Sequence, residues 1–300
     1  MHPCLMPSPE SLRVRETLEK ERIDPNRTLR QERQDWVDYS ATLPMAEGVF
    51  LEETRQSWVE CLWVRPKTAK SGLILYAHGG GLVSGSPVTH RAFASYLAQA
   101  TGRAVLLPNY RLLPENPIDA PLEDMIAVFE AILATSLPAS SIALAGDSNG
   151  AALALSTAIA LRDQGKPLPS CVISLSGAFD ATLSGTSIKG KSDADPMLSD
   201  ELLYHWQRLF GGLVEPANPI LSPLFAHLHG LPPSLLFAGS DEVWLNDTTR
   251  MTDALHSVGN TVTQAIYPDM WHVWPMWPEL PESQAVLAHI NRFLDATLGS

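Results

Sequence analysis

The segment Gly146-Asp147-Ser148-Asn149-Gly150 is the strongest chemical signal in this 300-residue sequence. It follows the apolar run Ile142–Ala145 and precedes a helix-forming run that begins at Ala151. A G-x-S-x-G segment between a strand and a helix places its serine on a tight turn, with the hydroxyl exposed and the helix amino terminus beside it. This arrangement is typical of a nucleophile in acyl transfer, whereas a serine that merely caps the helix is the simpler alternative.

A second signal, His78-Gly79-Gly80-Gly81, directly follows the apolar run Leu73–Ala77. Three glycines in a row cost backbone entropy, so they are expected where main-chain N–H groups must approach a ligand closely. The oxyanion that develops during acyl transfer is such a ligand. A flexible loop or a phosphate-binding loop is the alternative, but the glycine patterns of nucleotide sites are absent from the sequence.

A nucleophilic serine needs a general base, and the base needs a carboxylate to orient it. Of the nine histidines, His272 is distinguished because it lies in a loop after the apolar run Val262–Tyr267. Such a loop, at the carboxyl end of a strand, is where an open α/β sheet presents its functional groups. Of the others, His78 belongs to the triple-glycine segment, His90 is interpreted as part of a helix start and His2 as part of a loose end. His205 is placed in the insertion, His256 and His289 on helical surfaces, and His227 and His229 in a turn-rich segment before Ser234.

The carboxylate is expected after the apolar run Ser234–Ala238, where Asp241 and Glu242 are adjacent. Neighbouring side chains project differently, so only one of them is expected to reach an imidazole. The residue types alone leave this choice open. The chain order serine, acid, histidine is that of the α/β hydrolases.

Short apolar runs alternate with helical patterns along most of the chain, which predicts an α/β fold with a mostly parallel sheet covered by helices on both faces. The predicted strands are Trp58–Val64, Leu73–Ala77, Ala104–Leu107, Ile142–Ala145, Cys171–Leu175, Ser234–Ala238 and Val262–Tyr267. The predicted helices between and after them are His90–Ala100, Leu122–Ala134, Ala151–Arg162, Asn246–Val258 and Gln284–Leu298.

Two further segments are expected to form a cap over the carboxyl ends of the strands. Residues 1–45 predict an amino-terminal helical cap segment, with two amphipathic helices within Glu10–Tyr39. Residues 46–300 predict the catalytic domain. An insertion around residues 183–219 interrupts the alternation and carries a helical pattern from Ser199 to Phe210.

Composition and charge argue against several classes of protein. With 45% hydrophobic and 18% charged residues the chain is not expected to be disordered. Its net charge of −12 argues against nucleic acid as a partner. No membrane span, signal peptide, metal motif or cofactor motif is visible, so no metal and no cofactor are expected. The cysteines Cys4, Cys61 and Cys171 are scattered, which favours reduced thiols and a cytoplasmic protein.

Five separated blocks between about Gly72 and Leu298 resemble bacterial esterases of the hormone-sensitive-lipase-like branch of the α/β-hydrolase fold. They are His78–Gly81, Tyr110–Glu115 with Pro121–Asp124, Gly146–Gly150, Asp195–Leu198 and Pro268–His272. The resemblance implies an α/β-hydrolase fold with a mostly parallel central sheet and a helical cap.

Matching the blocks to this chain implies a role for each site residue. The implied triad is Ser148 as nucleophile, His272 as general base and Glu242, rather than Asp241, as the acid. The implied oxyanion-hole donors are the backbone N–H groups of Gly80, Gly81 and Asn149. The candidate pocket residues are Leu82, which stands where the family prefers an aromatic residue, Trp206, Phe210 and Trp271. Core or cap packing is the alternative for these side chains.

The resemblance implies a serine carboxylesterase that hydrolyses short-chain acyl esters or lactones through an acyl-enzyme. Its partner would be a small-molecule ester, and members of this family often form homodimers. One alternative is a non-catalytic small-ligand receptor on the same fold, although such receptors have lost the histidine that stands here at His272. Another is an acyltransferase, which uses the same residues. A serine peptidase is a further alternative, but peptidases of this fold typically carry a large additional domain, for which 300 residues leave no room.

Overall fold

A computed structural model describes residues 7–21, 24, 27–209 and 215–298. Within these residues, eight strands form a single sheet in the order β1-β2-β4-β3-β5-β6-β7-β8. The strands are β1 Val49–Gln56, β2 Val59–Pro66, β3 Leu73–Ala77, β4 Ala104–Pro108, β5 Ile142–Asp147, β6 Cys171–Leu175, β7 Ser234–Gly239 and β8 Val262–Tyr267. β2 pairs antiparallel with both β1 and β4, whereas all pairs from β4 to β8 are parallel.

The α-helices fall into three groups. The amino-terminal pair is α1 Pro9–Lys20 and α2 Leu29–Thr42. Those that cover the sheet are α3 Pro87–Thr101, α4 Ala120–Ala134, α5 Asn149–Asp163, α8 Leu245–Ser257 and α9 Pro281–Leu298. Two more, α6 Ser187–Gly190 and α7 Asp200–Leu209, lie in the insertion. None of the helices in the described ranges combines the length and the apolar character needed to cross a membrane.

The sheet is buried on both faces because helices pack against each of them. Along β3, the side chains of Leu73 and Leu75 join one hydrophobic cluster, which includes residues of α4, α5 and α8. Ile74 and Tyr76, which alternate with them, join a second cluster with residues of α3 and α9. This alternation across one strand explains why the central strands are continuously apolar.

The parallel strands bring the chemically important loops to one edge of the sheet. β3, β5, β7 and β8 all run in the same direction, so the segments that follow them lie at the same edge. These segments carry, in chain order, the triple glycine, Ser148, Glu242 and His272. Ala77 at the end of β3 lies directly opposite Gly146 in β5, which places the first two segments side by side.

The predicted α/β-hydrolase fold is confirmed, but the sequence analysis missed one strand. β1 carries the residues Val-Phe-Leu-Glu-Glu-Thr-Arg-Gln and is mostly exposed, so it shows no apolar run. It forms a hairpin with β2 at the antiparallel edge of the sheet. The predicted helix Ser199–Phe210 corresponds to α7, and Phe210 lies outside the described residues.

Candidate active site

Ser148 lies on the turn between β5 and α5 and has a strained backbone, with φ 53° and ψ −128°. Positive φ is unfavourable for residues other than glycine and is common at functional turns. The turn also packs closely against β3, because a Cβ atom at Gly150 would overlap the carbonyl oxygens of Ala77 and His78. The glycines of the G-x-S-x-G segment therefore allow the serine turn to contact the triple-glycine loop directly.

The imidazole of His272 lies next to the serine. Its Nε2 atom is 3.1 Å from Ser148 Oγ, which is hydrogen-bonding distance. The ring is only 4% exposed, and this burial lowers the pKa of His272 to about 3. A neutral imidazole at this distance can accept the hydroxyl proton, so the pair has the geometry of a nucleophile and its general base.

Glu242 approaches the other side of the imidazole. Its Oε2 atom is 4.0 Å from His272 Nδ1, and its carboxyl group is fully buried. Burial raises the pKa of Glu242 well above its usual value, against the opposing effect of the Ser176 hydroxyl. The separation is longer than a hydrogen bond, and catalytic contacts of this type commonly shorten once substrate is bound.

The carboxylate of the neighbouring Asp241 pairs with two cationic side chains instead of His272. Its carboxylate pairs with Arg15 Nη2 at 2.9 Å and with Lys191 Nζ at 3.6 Å. The same Arg15 guanidinium also donates hydrogen bonds to the carbonyl oxygens of Ala194 and Asp269. Of the two carboxylates that the sequence left open, Glu242 is therefore the one in ion-pair distance of His272.

The triple-glycine loop requires glycine at the two positions assigned to the oxyanion hole. Gly80 and Gly81 have φ values of 113° and 66°, and a Cβ atom at Gly80 would overlap the backbone of Ser84. The Gly80 carbonyl accepts hydrogen bonds from Val83 N and Ser84 N, which close the turn. Across the described ranges, no hydrogen bond partner is found for the backbone N–H of Gly80, Gly81 or Asn149.

The sequence analysis missed two polar residues beside this loop, Asp147 and His90. Asp147 Oδ1 accepts hydrogen bonds from Tyr76 Oη at 2.8 Å and from the Gly79 N–H at 3.0 Å. His90 Nε2 lies 3.2 Å from the same Gly79 nitrogen. Asp147 had a sequence signal, since it stands inside the G-x-S-x-G segment, but its side chain was not considered. His90 belongs to α3, and only the folded chain shows where it points.

A cavity of about 570 Å³ lies between the amino-terminal helices and the site. Asp147 and Val273, which flank the serine and the histidine in sequence, form part of its wall. Aromatic side chains from α2 and the loop after β8, namely Trp36, Tyr39 and Trp277, form another part. A cavity of this size is in the usual range for small-molecule sites.

The described candidate pocket residues, Leu82, Trp206 and Trp271, lie outside the wall of this cavity. Leu82 and Trp271 are buried in the two hydrophobic clusters of the sheet. Trp206, on α7, donates a hydrogen bond to Glu32 Oε2 at 3.3 Å and lies near Gly81, so it packs between α2 and the triple-glycine loop. Phe210 is not among the described residues. More than half of the residues that line the cavity lie between Leu18 and Leu43, chiefly on α2, and the pocket prediction included none of them.

Neither a metal cluster nor a disulfide is found in the described ranges. No group of three or more His, Cys, Asp or Glu side chains there is arranged to hold a metal ion. Cys61 and Cys171 are buried free thiols.

Comparison with known proteins places the chain in a family. A model of the alpha/beta hydrolase fold family matches residues 74–276. An "Acetyl-hydrolase" of Streptomyces hygroscopicus is 37% identical over 211 residues, which is 70% of this chain and 71% of that protein. An "Esterase" of Acinetobacter venetianus is 33% identical, covering 76% of each chain.

Solved structures agree with these relatives. An esterase from the bacterial hormone-sensitive lipase (HSL) family superposes with a TM-score of 0.93 at 34% identity, covering 98% of this chain and 100% of that one. EstE5, in a crystal soaked with p-nitrophenyl butyrate, gives a TM-score of 0.92 at 31% identity, covering 98% and 100%. Fold and family match together define an alpha/beta hydrolase. The chain belongs to the hormone-sensitive lipase family within that fold and, as a member of it, is a carboxylic ester hydrolase.

The buried His78 gives a testable pH dependence of stability. Its ring stacks on Tyr110 with centroids 4.1 Å apart, and its Nδ1 is 2.9 Å from the Gly79 carbonyl oxygen. Burial, with neighbouring His90 adding to the effect, lowers the pKa of His78 to about 3. The pKa of a histidine in an unfolded chain is about 6.5. Below that pH the unfolded chain therefore binds a proton that the folded chain excludes, so acid destabilises the fold by about 1.4 kcal/mol per pH unit for this residue.

His78→Asn removes this proton uptake. We expect the difference in unfolding free energy between wild type and His78→Asn to shrink by about 2 kcal/mol between pH 7.5 and pH 5.0, measured by urea unfolding. Titrating groups that do not interact with His78 are shared by the two chains and cancel. His227→Asn, at an exposed position, is the matched control and should show no such change. A wild-type-to-variant difference that stays constant over this pH range would contradict the prediction.

Proposed function

We propose that this protein is a serine carboxylesterase that hydrolyses short-chain acyl esters or lactones through an acyl-enzyme, with Ser148, His272 and Glu242 as its triad. The observation that carries this proposal is the 3.1 Å approach of His272 Nε2 to Ser148 Oγ at the edge of the sheet. The names of the relatives, an acetyl-hydrolase and an esterase, also favour an ester with a short acyl group as the substrate.

The reaction begins with transfer of the Ser148 hydroxyl proton to His272 as Oγ attacks the ester carbonyl carbon. The negative charge that develops on the carbonyl oxygen is stabilised by the backbone N–H groups of Gly80, Gly81 and Asn149. His272 then gives its proton to the leaving alkoxide, and the acyl group remains on Ser148. Water repeats these steps on the acyl-enzyme, which releases the carboxylic acid and restores the serine.

Glu242 supplies the charge that the imidazolium needs. Burial disfavours a lone positive charge on His272 and a lone negative charge on Glu242, as the directions of their pKa shifts indicate. When His272 takes the serine proton, a carboxylate on Glu242 at 4.0 Å compensates the new charge. Glu242 must therefore already be a carboxylate when His272 takes the serine proton, because a protonated Glu242 could compensate the imidazolium only by giving up its own proton elsewhere.

The cavity supports a small substrate. Its volume of about 570 Å³ suits an ester with a short acyl chain and a compact alcohol, and its aromatic wall suits apolar groups. The amino-terminal helices limit its size, because α2 is tied to the triple-glycine loop. Arg33 donates hydrogen bonds to the carbonyl oxygen of Val83 and to Glu115, and Glu32 accepts one from Ser84 Oγ at 3.2 Å.

A labelling experiment combined with an acyl series tests this function. We expect a fluorophosphonate to modify the protein once, on Ser148, with loss of ester turnover in proportion to labelling. Among p-nitrophenyl esters, kcat/KM should be greatest for acetate to hexanoate and fall at least about tenfold for dodecanoate and longer chains, because long chains exceed the cavity. Intact-mass spectrometry and initial rates give the two readouts.

Other results would point to the alternatives. No labelling and no turnover would favour a ligand receptor, and faster transfer to an added alcohol than to water would favour an acyltransferase. Equal rates on emulsified long-chain fat and on soluble short esters would contradict the short-chain assignment. A cytoplasmic location, a homodimer and the division into a cap (residues 1–45) and a catalytic domain (residues 46–300) with an insertion around 183–219 remain predictions.

A further inference from the structure

One backbone N–H group in the triple-glycine loop is shared by two buried side chains. The Gly79 N–H points to His90 Nε2 at 3.2 Å and to Asp147 Oδ1 at 3.0 Å. Both side chains are nearly fully buried, with 2% of each residue exposed. Gly79 directly precedes Gly80, so this hydrogen bond fixes the peptide that leads into the proposed oxyanion hole.

The surrounding hydrogen bonds select the histidine tautomer that can accept from Gly79. The Thr89 hydroxyl donates to the Ser86 carbonyl oxygen at 2.8 Å, so its oxygen is left to accept a proton from His90 Nδ1, also at 2.8 Å. The ring proton is then on Nδ1, which leaves the lone pair of Nε2 for the Gly79 N–H; a proton on Nε2 would instead be donated to Asp147 Oδ1, which lies 3.4 Å from that nitrogen. The ring is anchored at one nitrogen and acts as an acceptor at the other.

Asp147 links the same peptide to the nucleophile. It precedes Ser148 in the chain, and its Oδ1 atom is oriented by Tyr76 Oη at 2.8 Å. A Cβ atom at Gly79 would overlap the Asp147 carboxylate, so the backbone of Gly79 packs directly on this side chain. The oxyanion loop and the serine turn are therefore joined through one carboxylate and one imidazole.

We propose that His90 is a positioning residue, which with Asp147 holds the Gly79 N–H and thereby sets the distance between the Gly80 and Gly81 amides and Ser148. The inference rests on the proposed function, because it assigns these amides to the oxyanion. Stabilisation of an oxyanion depends steeply on donor placement, and a displacement of about 1 Å can reduce a rate by about 100-fold. Ground-state binding in the cavity depends on this placement much less.

Three substitutions separate the acceptor role of His90 from its packing. The amide of glutamine reaches the position of Nε2, so His90→Gln keeps an acceptor for Gly79. The shorter amide of asparagine reaches only the position of Nδ1, so His90→Asn removes it. His90→Leu removes the acceptor too, but it places no polar side-chain atom beside the rings of Trp36 and Tyr76, which are its neighbours.

We expect His90→Asn and His90→Leu to lower kcat on a short ester by about 10- to 100-fold. Because His90 also lines the cavity, KM is free to change, and kcat is the deciding readout. His90→Gln should retain kcat within about threefold. The inhibition constant of a trifluoromethyl ketone, which forms a tetrahedral adduct with the serine, should weaken in proportion to the loss in kcat/KM. Rates are expressed per serine titrated with fluorophosphonate, so that unfolded protein does not imitate a loss of kcat.

His227→Gln and His227→Asn make the same chemical changes at an exposed site and serve as controls. Wild-type kcat in folded His90→Asn or His90→Leu would overturn the inference, as would equal losses in His90→Gln and His90→Asn. If neither His90→Asn nor His90→Leu folds while His90→Gln does, the role is structural and the inference also fails. Absence of ester turnover in the wild type would instead overturn the proposed function, so the two failures are distinguishable.

Discussion

Ser148→Ala is expected to lower kcat for ester hydrolysis by about 10⁵- to 10⁶-fold, because no other group can form the acyl-enzyme. The fold should be unaffected. Alanine at φ 53° is no more strained than serine, and the Ser148 backbone N–H still donates to the Leu175 carbonyl oxygen at 2.9 Å. The measurement is the rate on p-nitrophenyl butyrate beside a thermal unfolding curve for each chain.

The matched control for this prediction is Ser257→Ala, a change of the same atoms at an exposed position on α8. It should turn over substrate like the wild type and take up one equivalent of fluorophosphonate, whereas Ser148→Ala should take up none. Turnover in Ser148→Ala that persists after purification away from host esterases would remove Ser148 from the mechanism and leave the chain with another nucleophile.

Glu242→Gln is expected to lower kcat by about 10³- to 10⁴-fold, the second-largest effect. Glutamine keeps the shape of the side chain but cannot compensate the positive charge that His272 acquires. With 4.0 Å between the two groups and no solvent access to the carboxyl, no water can take over this role. KM should change little, because Glu242 is fully buried behind His272.

Asp241→Asn is the control for the acid, one position away and with the same loss of charge. We expect kcat within about threefold of wild type and a loss of at most about 1 kcal/mol in stability, because its ion pairs with Arg15 and Lys191 are partly exposed. Steady-state kinetics of the two variants on one ester decides the assignment. A large loss in Asp241→Asn with near-normal activity in Glu242→Gln would reverse it.

The positions of the candidate site segments in the fold could be predicted from the sequence, because each segment adjoins the strand that positions it. The G-x-S-x-G turn and the triple glycine need specific backbone conformations, and the residue types that allow these conformations are consecutive in the sequence. The central strands were equally visible, since a buried parallel strand is apolar throughout. Strands β3, β6 and β8 begin and end at the predicted residues.

Features that depend on distant contacts could not be predicted in this way. β1 shows no apolar run because it is an exposed edge strand. It is recognised as a strand only by its antiparallel pairing with β2 in the folded chain. The position of His90 beside Gly79 depends on how α3 packs against the sheet, which no spacing in the sequence encodes. The predicted pocket residues were Leu82, Trp206, Phe210 and Trp271, but most of the cavity wall comes from the segment between Leu18 and Leu43. A charged amphipathic helix such as α2 gives no sign in the sequence of which surface it will cover.

Arg15 joins the amino-terminal segment to loops that carry the chemistry. Its guanidinium binds the Asp241 side chain and the carbonyl oxygens of Ala194 and Asp269. Asp241 precedes Glu242 in the chain, and Asp269 lies shortly before His272. An expression clone that starts at residue 46 would therefore lack one of the contacts between these loops, and the hydrogen bonds from Asp241 N to the Met270 carbonyl oxygen and from Asp269 N to Ser240 Oγ would be left to hold them. Anyone who transplants this candidate site onto another scaffold, or trims the protein for crystallisation, has reason to carry the first helix along with it.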